Sequence, residues 1–184
     1  MTDELAWETL DSRTSYTCEG FDIVTDTVRF PSGEEAEFDY LSEGESVVVL
    51  PFTAGGDVVV IEEWRQPVGR VNRAVPAGSI ESDDADPADC VARELEEETR
   101  YRPGSVEHLT TVEPANGFAD AVFHYFVARG CEPTAEQALD HNESIRVDTT
   151  SFEGLLEAAR EGDLRDGRSL LGICYYALFE DSRP

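Results

Sequence analysis

Between Asp86 and Thr99 the chain carries a helix with a capped start and an unusual burden of charge. Asp86 suits the N-cap and Pro87 suits the first helical position, where its missing N–H costs nothing. Arg93, Glu94, Glu97 and Glu98 then fall at i, i+1, i+4 and i+5. Glu94, Glu97 and Glu98 are spaced 0, 3, 4 and so share one helix face, while Val91 and Leu95 lie on the other side and can face a core. Three like charges at that spacing destabilise an isolated helix. A hard divalent cation reverses the cost, because Mg²⁺ takes oxygen ligands from a few carboxylates together with phosphate oxygens and water. An acidic helix face in a chain this rich in acid is also what plain solvation produces, so the helix by itself leaves both readings open.

The segments around it set the fold class. Residues 14–42 read as short strands about a turn at Pro31-Ser32-Gly33. Ser46–Phe52 and Val58–Trp64 read as two strands joined by the turn at residues 53–57. Arg73–Pro76 is a brief extended piece ending in Pro76-Ala77-Gly78, and residues 79–86 form a polar loop. After Pro103-Gly104 come strands near 105–113 and 121–128, a loop from Cys131 to Asn142 and a strand at about 144–149. Thr150 to Glu153 fits a capping box for a helix through about Glu161, and a last helix covers Gly167 to Phe179. Strands and helices alternate without regular βαβ spacing, which predicts an α+β fold with a mixed sheet between helices.

The balance of charge narrows the partners. Forty acids face fourteen bases, a net charge of −26, and every base is Arg with no Lys. Phosphate backbones are met by basic stripes, so sequence-independent nucleic-acid binding is disfavoured. One reading is an ordinary acidic surface. The other is adaptation to molar salt, where at about 1 M the Debye length shrinks to roughly 3 Å and a dense carboxylate surface no longer repels itself strongly. In this respect the composition resembles that of proteins from salt-accumulating archaea. No apolar run reaches the length of a bilayer span, and Met1–Leu10 is polar and acidic, unlike a signal peptide. The four cysteines, at 18, 90, 131 and 174, form no CxxC and read as reduced intracellular thiols. The expectation is a soluble, cytoplasmic protein with no membrane partner.

Gly78 to Tyr101, GSIESDDADPADCVARELEEETRY, resembles the Nudix box, G-x5-E-x7-REUxEExGU with U aliphatic. Gly78 stands at the first Gly, and Arg93-Glu94-Leu95-x-Glu97-Glu98 matches REUxEE in full. Two positions depart. The first Glu is replaced by Asp84 with one extra residue before Arg93, or by Ala85 if the count is held from Arg93. The late Gly, which serves a left-handed turn after the helix, is Arg100. Pro76-Ala77-Gly78 resembles the PAG that precedes the box in ADP-ribose pyrophosphatases, and Trp64-Arg65, Pro114–Ala119 and Leu139–Val147 resemble further elements of that group. Ala74 stands where relatives commonly have Glu.

The resemblance implies a Nudix fold over residues 45–184, with an N-terminal strand region, 1–44, through which the chain forms a homodimer. It implies Mg²⁺-dependent hydrolysis, with Mn²⁺ as an alternative ion, of the pyrophosphate bond of a small nucleotide, ADP-ribose leading. Glu94, Glu98 and the backbone carbonyl of Ala77 would hold the ion, and Glu97 would hold or position a second one in a catalytic role. Arg93 would orient the glutamates. Arg65, Gly78 and Phe118 are the substrate-binding candidates; for Arg65 the bland reading is a surface ion pair. Glu143 or His141 would take the proton of the attacking water. Trp7, Trp64 and Phe118 could stack on adenine, although core packing is the commoner use of any one such ring. His108 and His124 read as ordinary strand residues. Alternatives are a Nudix hydrolase of another nucleotide sugar or dinucleotide, and a catalytically silent nucleotide-binding regulator. Product release from a small substrate panel separates them.

Overall fold

The structure is a computed structural model and describes residues 3–133, 137, 139 and 144–180. His141 and Glu143, the two candidate bases, lie outside the described residues. The chain is organised as two compact units.

The smaller unit comprises the residues up to Glu45 together with Val112–Val122. Strands β1 (Glu8–Thr17), β2 (Asp22–Arg29) and β3 (Glu35–Ser42) form an antiparallel sheet in that order. The β2–β3 turn is at Pro31–Gly33, where Gly33 N–H donates to Phe30 O at 2.9 Å. Val112–Val122 is tied to β3: Leu41 N–H donates to Phe118 O at 2.9 Å, and Ser42 Oγ donates to Asp120 Oδ2 at 2.6 Å. Every residue of β1 is exposed.

The larger unit holds a mixed eight-stranded sheet. Its strands are β4 (Glu45–Thr53), β5 (Val58–Arg65), β6 (Arg70–Ala74), β7 (Ala77–Ser79), β8 (Tyr101–Arg102), β9 (Ser105–Val112), β10 (Val122–Pro133) and β11 (Ile145–Thr150). The main path runs β11-β5-β4-β10-β8, with β6 on β5, β7 on β4 and β9 on β10. Three helices, α1 (Pro87–Thr99), α2 (Phe152–Glu161) and α3 (Gly167–Phe179), cover it.

Alternation along β4 explains how both faces are covered. Val47 and Val49 pack with Cys90, Val91 and Leu95 of α1 and with Phe126, Ala128 and Cys131 of β10. Phe52, of opposite parity, meets Phe152 of α2 and Tyr176 of α3, at ring-centroid distances of 5.9 and 5.2 Å. Burial of this kind stabilises by roughly 25 cal/mol per Å² of apolar surface removed from water. Gly130, at φ 61, breaks the alternation of β10, so Cys131 rejoins the face that Phe126 and Ala128 present to α1.

Several expectations are corrected here. β10 continues to Pro133, five residues beyond the expected end, because Glu132 and Pro133 pair with the two-residue strand β8. The cap of α2 is Ser151, whose hydroxyl accepts from Gly154 N–H, since Thr150 is held in β11 opposite Val58. Core packing is also not the use of the three candidate rings. Trp64 and Phe118 are exposed, and Trp7, half exposed, makes edge contacts with Phe30 and Phe38 at 4.5 and 5.6 Å. Among the described residues all four cysteines are free; burial pushes the thiols of Cys90 and Cys131 up to about 12 and about 11, which keeps them protonated and poorly nucleophilic. No helix among the described residues is long and apolar enough to cross a membrane.

Candidate active site

Helix α1 starts and stops as its end residues require. The Asp86 carboxylate accepts from the N–H groups of Ala88 and Asp89, and Pro87 occupies the first helical position. Its far end turns out through Arg100 at φ 70, ψ 7, the one non-glycine at positive φ among the described residues. Cys90, Val91 and Leu95 are buried under the sheet. That burial fixes the rotation of the helix and turns Glu94, Glu97 and Glu98 toward strand β7.

The result is a cleft of about 350 Å³ bordered by α1, by Ala77–Ser79 of β7, by the end of β5 and by the start of α3. It is at the small end of the usual range for small-molecule sites, roughly 300–1,000 Å³. Glu98 is buried, and its Oε2 accepts the Ala77 amide at 3.3 Å, tying the last turn of α1 to β7. Glu94 reaches over Gly78 so closely that a Cβ there would overlap its carboxylate. Glu97 is more open, with its side chain 44% exposed.

Arg93 organises this face. It grips Asp84 with two bonds, Nη2 to Oδ2 at 2.9 Å and Nε to Oδ1 at 3.3 Å. It also donates to Glu94 at 2.8 Å, to Glu97 at 3.2 Å and to the Ser79 carbonyl at 3.1 Å. Of the two alignments open in the sequence, Asp84 and not Ala85 carries the carboxylate that meets the arginine. The Arg93 guanidinium and the Glu81 amide hold the Asp84 carboxyl down at about 2, and the same pair raises Arg93 further above its already high range.

β5 supplies the opposite wall. Glu63 and Arg65 share the parity of Val59 and Ile61, and both line the cleft, where Arg65 pairs with the buried Glu63 at 2.7 Å. Glu63, Ser46 and Arg168 line the cleft without any sequence motif to mark them. For Glu63 the available signal was strand parity. Phe118 belongs to the smaller unit, where it is exposed. Gln137 Nε2 donates to the Glu98 carbonyl at 2.6 Å.

Five glutamates, 63, 81, 94, 97 and 98, and three arginines, 65, 93 and 168, line this cleft. A bare diphosphate would be repelled from such a surplus of carboxylate. Among the described residues no three acid, histidine or cysteine side chains already converge as a ligand cluster; Arg93 draws Glu94 and Glu97 to itself. The donor set nevertheless fits Mg²⁺, being all oxygen, and the missing Cβ of Gly78 leaves the Glu94 carboxylate room beside the backbone.

Comparison with known proteins bears on the same segment. The NUDIX domain model matches residues 43–169. The chain belongs to the Nudix family. This Nudix pyrophosphohydrolase is 28% identical over 160 residues to a Bacillus subtilis (strain 168) protein named ADP-ribose pyrophosphatase, covering 86% of each chain. It is 28% identical over 159 residues to the methanol dehydrogenase activator of Bacillus methanolicus, covering 86% of this chain and 85% of that one. A crystal structure of an ADP compounds hydrolase superposes with a TM-score of 0.83 over 96% of both chains at 15% identity, a likeness of fold.

Proposed function

We propose that the chain hydrolyses ADP-ribose to AMP and ribose 5-phosphate with Mg²⁺ as cofactor. The observation that carries this reading is the carboxylate face of α1, with Glu94 seated over Gly78 and Glu98 bound to Ala77 in one cleft. The extended match to the Bacillus subtilis relative supports the choice of substrate. Glu94, Glu98 and the Ala77 carbonyl would hold the ion, and Glu97 would hold or position a second. When bound, Mg²⁺ neutralises phosphate charge and orients the reacting oxygens.

The chain's own groups do the rest. A water oxygen forms a bond to one phosphorus, and the bridging P–O bond breaks, leaving its electrons on the departing phosphate. Glu143 or His141 takes the water proton, with Glu143 the stronger candidate because a carboxylate can serve as ligand or base. Arg93 keeps Glu94 and Glu97 in place, and Arg65 and Gly78 border the substrate. The exposed aromatic surface of the strand sheet, Trp7 and Phe38 among it, is consistent with a homodimer formed through residues 1–44. The acidic, Lys-free composition supports a cytoplasm rich in salt.

The test is a substrate panel in Mg²⁺ and high KCl: ADP-ribose, a second nucleotide sugar and a dinucleotide polyphosphate, with products separated chromatographically. ADP-ribose should turn over fastest and give AMP and ribose 5-phosphate in equal amounts. Glu94→Gln and Glu98→Gln should each lower turnover by about a hundredfold or more with the fold intact. Faster cleavage of another panel member transfers the assignment to it; no cleavage of any leaves the nucleotide-binding regulator.

A further inference from the structure

Arg168 is the third cation of the cleft and matches no part of the Nudix box. It is the second residue of α3, its side chain is 28% exposed, and it lines the cleft with Arg65, Gly78 and Glu94. The other two arginines are committed. Arg65 lies 2.7 Å from Glu63, and Arg93 is forked on Asp84 and shared with Glu94 and Glu97. Arg168 approaches the Asp166 carboxylate only at 3.6 Å, and the other oxygen of that group already accepts both the N–H and the hydroxyl of Ser169. Among the described residues its guanidinium makes no closer polar contact.

The backbone beneath it is well placed. Ser169 is fully buried, and its Oγ accepts the Val75 amide at 2.9 Å, one residue before the Pro76-Ala77-Gly78 wall. A Cβ at Gly172, one turn on, would stand 3.0 Å from the Tyr125 ring, so α3 lies close on the sheet. A guanidinium held on so fixed a base can offer a planar pair of donors to a phosphate. Directional bonds of that kind survive the screening that removes most of the value of a point charge in concentrated salt.

We propose that Arg168 binds a phosphate oxygen of the substrate's diphosphate, holding the group against the carboxylate face of α1. The inference rests on the reading of this cleft as a nucleoside diphosphate site and adds to it a residue from outside the motif. It is tested with Arg168→Ala, Arg168→Gln and Arg168→Lys, none of which alters the Asp166 cap or the Ser169–Val75 bond. KM for ADP-ribose should rise about tenfold or more in the Ala and Gln variants and less in Lys, with kcat within about threefold of the parent. The inhibition constant of AMP or of ribose 5-phosphate should rise in parallel, identifying which phosphate is held. Unchanged KM in folded variants overturns the assignment, as does an equal fall of kcat and thermal stability in all three or a failure of all three to fold. If the parent chain cleaves no diphosphate substrate, it is the functional reading that fails, a result distinct from any of these.

Discussion

Gly78 and the Glu94 carboxylate occupy neighbouring space that no side chain at position 78 could share. The overlapping atoms are the far end of a flexible side chain, so Gly78→Ala costs the fold little but pushes Glu94 out of place. Turnover should fall by about a hundredfold, as a displacement of about 1 Å at a reacting centre can cause, while the melting temperature shifts by a few degrees at most. Parent-like kcat in Gly78→Ala would remove the close seat from the catalytic argument.

Asp84 is predicted to act through Arg93. Its carboxyl is held near 2, below the ordinary 3.8, first by the hydrogen bonds from Arg93 and then by the Glu81 amide. A group with a depressed folded-state pKa contributes stability that is present above the unfolded value and lost as pH falls through the folded one. The difference in melting temperature between the parent and Asp84→Asn should therefore be constant above about pH 4 and shrink between pH 4 and 2. At neutral pH, Asp84→Asn should lower kcat by about tenfold, because Arg93 then leans further onto Glu94 and Glu97. A difference that stays constant down to about pH 2 would show that the Asp84 carboxyl is not held below its ordinary range in solution.

Arg100 offers a gain rather than a loss. At φ 70 it bears the left-handed strain that glycine avoids, and its N–H to Glu96 O bond, 2.9 Å, does not depend on the side chain. Arg100→Gly should raise stability by up to about 1 kcal/mol, partly offset by the freer unfolded chain, and leave kcat unchanged. Thermal or urea unfolding checks both terms; a destabilised variant would mean that the strain is relieved locally.

Salt dependence follows from the net charge of −26. Among the described residues, surface pairs such as Arg29 with Glu8 and Glu35 or Arg102 with Glu96 join some of these acids to bases. Melting temperature and activity should both rise from dilute buffer toward molar KCl as the remaining repulsion is screened. A chain that is fully folded and fastest at about 0.05 M salt contradicts the halophilic reading.

Legibility in the sequence followed locality. Helix α1 was readable to the residue, because Asp86, Pro87 and the apolar pair Val91 and Leu95 act within a few positions of one another. α3 was equally plain from Gly167 to Phe179. The cap of α2 was misplaced by one residue: Thr150 and Ser151 are chemically alike, and only the distant pairing of Thr150 with Val58 decides between them. The end of β10 was missed for the same reason, since Tyr101 and Arg102 are too short a strand to announce a partner. Within β5 the pattern inverted ordinary hydrophobic logic, placing Glu63 inside and Trp64 outside, because the strand ends in the wall of a polar cleft. Arg168 carried no local signal; only the packing of α3 brings it to the glutamates.

The bond between Ser169 and Val75 also bears on the order in which the molecule is made. α1 and its glutamates leave the ribosome well before α3, yet the hydroxyl that accepts the Val75 amide, and the third arginine of the cleft, come only with α3. A nascent chain halted at Gly162 would display the acidic helix before Ser169 and Arg168 are present. Synthesis in the N-to-C direction thus completes the lining of this cleft only once α3 has been made.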